Sequence, residues 1–501
     1  MLSPAQTSRY PLSMYKTLTF TLLVCLSSSL ANGCQSIGTS PKSTDANPTP
    51  HTLDGSFTDW DQPNTGNADG RYIYLHFSPV GDFPHSIQAA PHTTRIRIDS
   101  DLNPQTGNPM RTMSLEAAIQ QPQGVDLLLE LSPKNELGSV GIGSQITLFK
   151  PDGYPHFVGH ADLGFMFLPT YGTNEYEARI DRLAPESSIL PESGMIEIVV
   201  DQNSEDDRLM WSTTFRVELP KIDRSIGSDV TIAAKPKKSV RVMSSNVLFS
   251  SPLKEPKPFK RVLDAINPDV ILYQEWFNTP TDQIEGWLKT YAGKGWSVHM
   301  PSSKAGVAIA TRNRIIKTYE SVIPPSNSGR PARGVAALID TDAGELLAIS
   351  IHLKCCGSAE SSEDNKRIEQ AKSINAFVRS VHKNHPNAKV VIAGDFNLVG
   401  SRKPLTVMAS ALGINGEDLS PVQAQQLGDA SMITWNDEKS RFSPGRLDWM
   451  LIDESMSTAA NAFILDTRAL SAASLDAMGL KADDSKASDH LPIVVDLVDA
   501  N

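Results

Sequence analysis

The chain of 501 residues has only 4 cysteines, Cys25, Cys34, Cys355 and Cys356. With Cys25 and Cys34 in the amino-terminal targeting segment described below, only adjacent Cys355 and Cys356 remain, so no conventional disulfide framework is possible. A bridge between these two would join Cα atoms only about 3.8 Å apart, closer than disulfides prefer. Long apolar runs are also missing near the start: Leu18 to Leu26 is too short to span a bilayer comfortably. Basic residues are in deficit, with 46 Lys and Arg against 57 Asp and Glu and a net charge of −11. This argues against a nonspecific nucleic-acid binder, although a local basic groove is compatible with an acidic total. No internal repeat is evident. What is present is an ordinary soluble composition, 40% hydrophobic and 21% charged, with enough length for two domains.

The first 34 residues read as a targeting segment. Arg9 and Lys16 precede the apolar run, small residues follow, and the stretch closes as LANGC at Cys34. This resembles a bacterial lipoprotein signal, which implies cleavage before Cys34 and a lipid anchor on it. Asn32 inside the box departs from that pattern, Met14 is an alternative start, and plain secretion is the competing reading. Either way export from the cytoplasm is expected, to the cell envelope or beyond. Residues 35–52, rich in Pro, Ser, Thr and Asn, predict a disordered tether.

Residues 53–220 predict an all-β sandwich accessory domain. Alternating runs recur at 71–77, 94–99, 125–132, 175–181, 195–201 and 213–219, divided by turn-formers. LDGSFTDW at 53–60 together with RYIYLHF resembles family-9-like carbohydrate-binding modules, which implies a glycan partner. In the loop DSDLNPQTG, Asp99, Asp101 and Asn103 alternate as oxygen ligands would around calcium. Pro104 and Met110 exclude an EF-hand, and a hairpin turn with Asx caps fits equally well.

Residues 221–237 form a polar linker, and 238–501 then alternate strands with helices. Strands are expected at 239–247, 268–276, 306–312, 334–341, 346–353, 389–395, 446–452 and 491–498. Helices are expected at 259–266, 281–293, 364–385 (with Asp364 as N-cap) and 404–412. Polar residues collect where apolar strands end: Asn246, Gln274 with Glu275, His352, Asp395 with Asn397, Asp448, and Asp489 with His490. One acid at a strand exit is usually a cap. Six such exits in one domain point to a shared site, because each puts a polar group at the end of a buried strand.

The ordered set N-x-L, Q-E-W, G-D-F-N and S-D-H-L-P resembles the endonuclease/exonuclease/phosphatase superfamily, deoxyribonuclease I-like metal-dependent phosphoesterases, over about 238–498. The resemblance implies an α/β, four-layer αββα sandwich and a hydrolase dependent on Mg²⁺ or Mn²⁺. It implies Asn246, Glu275 and Asp489 at the metal and His352, Asp395, Asn397, Asp448 and His490 in catalysis. In it, Asp395 positions or deprotonates water, Asn397 holds a phosphate oxygen, and Asp448 orients His490 and raises its pKa. His352 matches pancreatic-type deoxyribonucleases, bacterial sphingomyelinases and inositol-phosphate 5-phosphatases rather than exonuclease III-like repair enzymes. Arg330 and Arg333 are candidate phosphate contacts. Arg446 is expected to anchor its strand, and Tyr273 to lie in the core.

The expected function is thus hydrolysis of a phosphodiester in nucleic acid or a phospholipid head group, with no obligate protein partner. The alternative is a surface adhesin or carbohydrate-binding lipoprotein with an inactive catalytic fold. The mixed insertions at 277–305 and 413–440 leave the substrate open, and Trp435 suits either a base-stacking or a lipid-facing role.

Overall fold

Strand alternation in the first half translates directly into two sheets. The structure, a computed structural model, describes residues 51–500 except 80–84, 108–123, 135–140, 151–153, 205, 207, 226, 228, 304, 321 and 324–332. The expected signal, Cys34, nearly all of the tether and Arg330 lie outside the described residues. Ten strands come first: β1 (Thr65–Ala68), β2 (Tyr72–Phe77), β3 (Thr93–Asp99), β4 (Leu127–Leu131), β5 (Ser144–Phe149), β6 (Pro155–Val158), β7 (Met166–Leu168), β8 (Tyr176–Asp181), β9 (Gly194–Asn203) and β10 (Leu209–Leu219). They form sheets in the orders β1-β2-β8-β7 and β10-β9-β3-β4-β5-β6. Ile73, Leu75 and Ile180 of one sheet and Ile96, Ile98, Leu129 and Ile198 of the other share one buried cluster. Their period of two puts every second side chain into that layer.

The second half contributes β11 (Val240–Asn246), β12 (Val270–Phe277), β13 (Ser297–His299), β14 (Ala305–Thr311), β15 (Arg314–Tyr319), β16 (Gly334–Thr341), β17 (Gly344–His352), β18 (Lys389–Asp395), β19 (Ser420–Pro421), β20 (Gln425–Gln426), β21 (Asp448–Ile452), β22 (Ser457–Ile464) and β23 (Ile493–Asp499). One sheet runs β13-β14-β12-β11-β23-β22-β20 and the other β15-β16-β17-β18-β21-β19. Val242, Leu272 and Ile309 of the first meet Ala337, Ala348 and Val391 of the second in the central core. The intervening residues point outward. Met243 and Ile271 meet Leu263 of helix Pro256–Ile266 and Ile284 of helix Thr281–Tyr291. Ile349 and Ile392 meet Ile374 and Val378 of helix Ser362–His382. Both faces of both sheets are thus covered, and the fold is an αββα four-layer sandwich.

The Ser362–His382 helix corrects one expectation. Ser361, not Asp364, is its N-cap, accepting the Asp364 N–H at 3.2 Å. Asp364 is instead buried inside the first turn, paired with Arg367 at 3.0 Å and accepting the Ser401 hydroxyl at 2.7 Å. A charged residue with an internal partner outbids a simple cap. Short edge strands such as β13 and β15, and β22 with its interrupted register, carry too little apolar alternation to be foreseen.

Residues 221–225 and 229–238 adopt no regular secondary structure. The described residues fall in a single compact unit. Leu53 and Leu168, from the β-sandwich half, sit in the central αββα core. Arg179 on β8 makes a two-pronged pair with Asp429, at 2.9 and 2.7 Å. No helix among the described residues is long and apolar enough to cross a membrane.

Candidate active site

Register brings the strand-exit residues together. His352 on β17 lies beside Asp395 on β18, which lies beside Asp448 on β21. In the facing sheet Asn246 on β11 is level with Gln274 on β12. Parallel pairing of β17 with β18 and of β11 with β12 makes those exits share one end of their sheets.

Glu275 is turned out of its strand. The β12–β14 register slips between Tyr273 and Trp276, and Glu275 takes φ +67 there. This is an uncommon conformation for a residue with a Cβ, and such strain persists only where neighbours enforce it. Here Asn246 Nδ2 donates to Glu275 Oε1 at 3.3 Å and the Phe249 N–H to Oε2 at 3.0 Å. The carboxylate is left half-buried with lone pairs unfilled. Asn397 is also left-handed, at φ +50, with its N–H on Asp395 Oδ1 at 3.0 Å and its amide on the Leu353 carbonyl at 3.3 Å.

The acid–base groups form a buried line. His490 Nδ1 lies 2.7 Å from Asp448 Oδ2, and its Nε2 3.9 Å from Asp395 Oδ2. His352 Nε2 approaches the same Asp395 oxygen at 3.4 Å. Burial alone would lower the His490 pKa, but the carboxylates of Asp448, Asp395 and Asp489 outweigh it and raise it to about 10. Asp395 is pushed up, first by burial and then by Asp448 and Glu275, against the pull of His490. His352 goes the other way: burial, then Arg333 and His490, hold it well below its ordinary value, so it is neutral. Arg333 NH1 stands 3.3 Å from His352 Nε2, and its guanidinium lies over the Phe277 ring at 4.9 Å. The nitrogen next to Asp395 therefore either accepts from Arg333 or carries its own proton.

Asp489 is held by a residue whose role sequence reasoning left open. Trp435 Nε1 donates to Asp489 Oδ2 at 3.0 Å, while Asp489 Oδ1 is buried without a protein partner. Ser488 Oγ donates to the Asn246 carbonyl at 2.9 Å, tying this strand exit to Glu275. Thr434 Oγ1 accepts the N–H groups of Leu447 and Asp448 at 3.0 and 2.9 Å. Nothing in the sequence separates these partners from ordinary loop residues. The pattern Thr-Trp ahead of R-L-D is the one faint signal.

Asp489 Oδ1, buried without a protein partner, and the half-buried Glu275 carboxylate beside Asn246, whose Oδ1 accepts the Leu248 N–H at 3.1 Å, are oxygen donors of the kind a hard divalent cation takes. All eight expected catalytic and metal-binding residues converge here. Arg333 joins them through His352. As expected, Arg446 anchors its segment, stacked on Trp449 at 3.7 Å and bonded to the Val422 carbonyl at 3.1 Å, and Tyr273 is core. Cys355 and Cys356 are free thiols with their sulfurs 2.9 Å apart.

The β-sandwich loop lies elsewhere. Asp99 and Asp101 converge there with Asp126, whose carboxylate oxygens lie within 4.8 Å of theirs. Asn103 instead uses its side-chain oxygen on the Gln105 N–H at 3.1 Å, and Asp101 takes the Asn103 N–H at 2.9 Å. These are Asx turns.

Residues 243–490 match the profile of the Endonuclease/Exonuclease/phosphatase family. No curated protein matches the chain significantly. Similar solved structures include the β toxin of Staphylococcus aureus, at 19% identity and TM-score 0.36, covering 51% of this chain and 99% of that one. Human Nocturnin's catalytic domain with bound sulfate is 15% identical at TM-score 0.36, with 53% and 96% covered. D. rerio TDP2 complexed with single-strand DNA product is 17% identical at TM-score 0.36, with 52% and 98% covered. By its matched profile and its αββα fold, the C-terminal half of this chain belongs to the endonuclease/exonuclease/phosphatase family.

Proposed function

We propose that the protein is a divalent-metal-dependent phosphoesterase that hydrolyses phosphodiesters by attack of water. The observation that carries this reading is the buried line Asp448–His490–Asp395–His352, set beside Glu275, Asn246 and Asp489. Glu275, Asn246 and Asp489 would hold Mg²⁺ or Mn²⁺, which supplies charge neutralisation at the phosphoryl oxygens. Asp395, raised in pKa, is suited to orient the attacking water and take its proton at Oδ2. His490, kept cationic by Asp448, offers its Nε2 proton to a phosphoryl or leaving oxygen. Asn397 fixes Asp395 through its N–H, and neutral His352, beside the same Asp395 oxygen as His490, would contact the phosphoryl group. Arg333, beside His352, is suited to steer the anion in.

The test is hydrolysis of bis-p-nitrophenyl phosphate, p-nitrophenyl phosphate, DNA, RNA and sphingomyelin, with Mg²⁺ or chelator, by the parent, Asp395→Ala and His490→Ala. Turnover that needs metal and disappears in both variants supports the reading, and the preferred substrate names the class. Activity that survives both substitutions would show that the chemistry lies elsewhere.

The same reading extends outside the site. Export with a lipid on Cys34 is supported by the LANGC pattern, and membrane fractionation of the parent against Cys34→Ala tests it. A glycan partner for the sandwich is supported by LDGSFTDW, and a glycan panel tests it. Calcium there is supported by the Asp99, Asp101 and Asp126 oxygens, and calorimetric titration tests it.

A further inference from the structure

Residues 429–446 touch both halves of the molecule. On one side they meet the β-sandwich region. The Leu53 N–H donates to the Ala430 carbonyl at 2.9 Å, and the Met432 N–H donates to Leu53 at 2.8 Å. His160 Nε2 lies 3.1 Å from the Asp437 carbonyl, and Thr170 Oγ1 donates to the Arg446 carbonyl at 3.1 Å. On the other side the same segment meets the catalytic residues. Besides the Trp435–Asp489 bond, the Asn436 N–H donates to the Asp489 carbonyl at 2.8 Å and the Leu491 N–H to the Thr434 carbonyl at 2.7 Å.

We propose that the β-sandwich is a positioning part of the catalytic site. It holds the 429–446 segment in place and, through the Trp435 indole, sets the Asp489 carboxylate for the cation. Three physical points support this. The segment has no strand or helix of its own, only isolated bridges, so its neighbours must place it. A carboxylate with one oxygen tied to a fixed N–H presents the other in a defined direction, and Asp489 Oδ1 is the buried, unpartnered one. The two halves pack closely at Gly445, where a Cβ would stand 2.1 Å from Thr170 Cγ2. Trp435 thereby becomes a positioning residue, and the sandwich more than a detachable binding module.

The inference rests on the metal site proposed above, so the experiment reads metal binding directly. Mn²⁺ affinity of the full protein is measured by electron paramagnetic resonance for the parent, Glu275→Gln, Trp435→Phe, Gly445→Ala, and Gly445→Ala with Thr170→Ser. Trp435→Phe removes the indole N–H and keeps an aromatic ring, while Gly445→Ala pushes the segment against the sandwich. Each is expected to weaken Mn²⁺ by about tenfold. Thr170→Ser removes the methyl in the way and keeps the hydroxyl for Arg446, so the double variant is expected to regain the parent's affinity. Affinities unchanged in both single variants, or a double variant as weak as Gly445→Ala, would overturn the inference and leave the metal site standing. Parent binding that is absent, or unaffected by Glu275→Gln, would overturn the metal site and this inference with it.

Discussion

His490 Nδ1 and Asp448 Oδ2 lie 2.7 Å apart with both side chains almost sealed from solvent, 6% and 4% exposed. A buried imidazole that close to a carboxylate keeps its proton and its orientation. In Asp448→Asn the charge is gone while the Thr434 bond to the backbone N–H can remain. We expect kcat to fall by about 10²–10⁴-fold with KM changed far less. Steady-state kinetics on the preferred substrate checks this, and an equal loss in KM alone would point to a binding role.

The same pair makes metal-free stability depend on pH. Histidine's ordinary value is 6.5, and His490 in the folded protein is raised to about 10. The folded state therefore holds this proton more tightly than the unfolded chain. Its stabilisation is complete below about pH 6.5 and is lost as pH rises through about 10. In chelator, the parent's melting temperature is expected to fall between about pH 7 and pH 10, and that of His490→Gln to fall less. Parallel curves for the two proteins would refute the assignment.

Arg179 and Asp429 tie the two halves through side chains only 2% and 9% exposed. The guanidinium also lies over the Tyr72 ring at 4.0 Å. Arg179→Ala takes the main cation from a buried carboxylate, leaving it Tyr72 and Arg71, and is expected to destabilise by about 3 kcal/mol. Replacing both partners, Arg179→Met with Asp429→Leu, should recover most of that, as judged by denaturant unfolding. A double variant no better than the single would mean the cost is packing, not the stranded charge.

Gly394 precedes Asp395 at φ +145, where a Cβ would come within 1.9 Å of the Ile351 carbonyl oxygen. No side chain can give way, because the obstacle is the paired strand's backbone. Gly394→Ala is expected to cost about 3 kcal/mol and to lower activity by moving Asp395. Equilibrium unfolding measures the first and kcat the second. A variant of parental stability would show that β17 and β18 can part without loss.

Much of the C-terminal half is legible in the chain because its information is local. Runs such as KVVIAGD and VILYQEW announce buried strands, and Asp395, Glu275 and Asn246 stand out as polar residues at their ends. Less legible are elements whose signal is spread thin. β22 has its register interrupted between Ala459 and Asn461, and β13 is three residues long. Asp364 reads as a cap from its place before the apolar period. Only its burial beside Arg367 and Ser401 shows otherwise.

By itself the sequence determined which strands carry acids, amides and histidines at their exits, since alternation and a sudden polar residue are written in neighbouring positions. Only the tertiary structure decided which exits stand abreast, what Trp435 holds, and how the β-sandwich bears on the site. The contact between His160 and Asp437 spans 277 residues, and that between Trp435 and Asp489 spans 54. Such pairings follow from how the layers pack, and no local period encodes them.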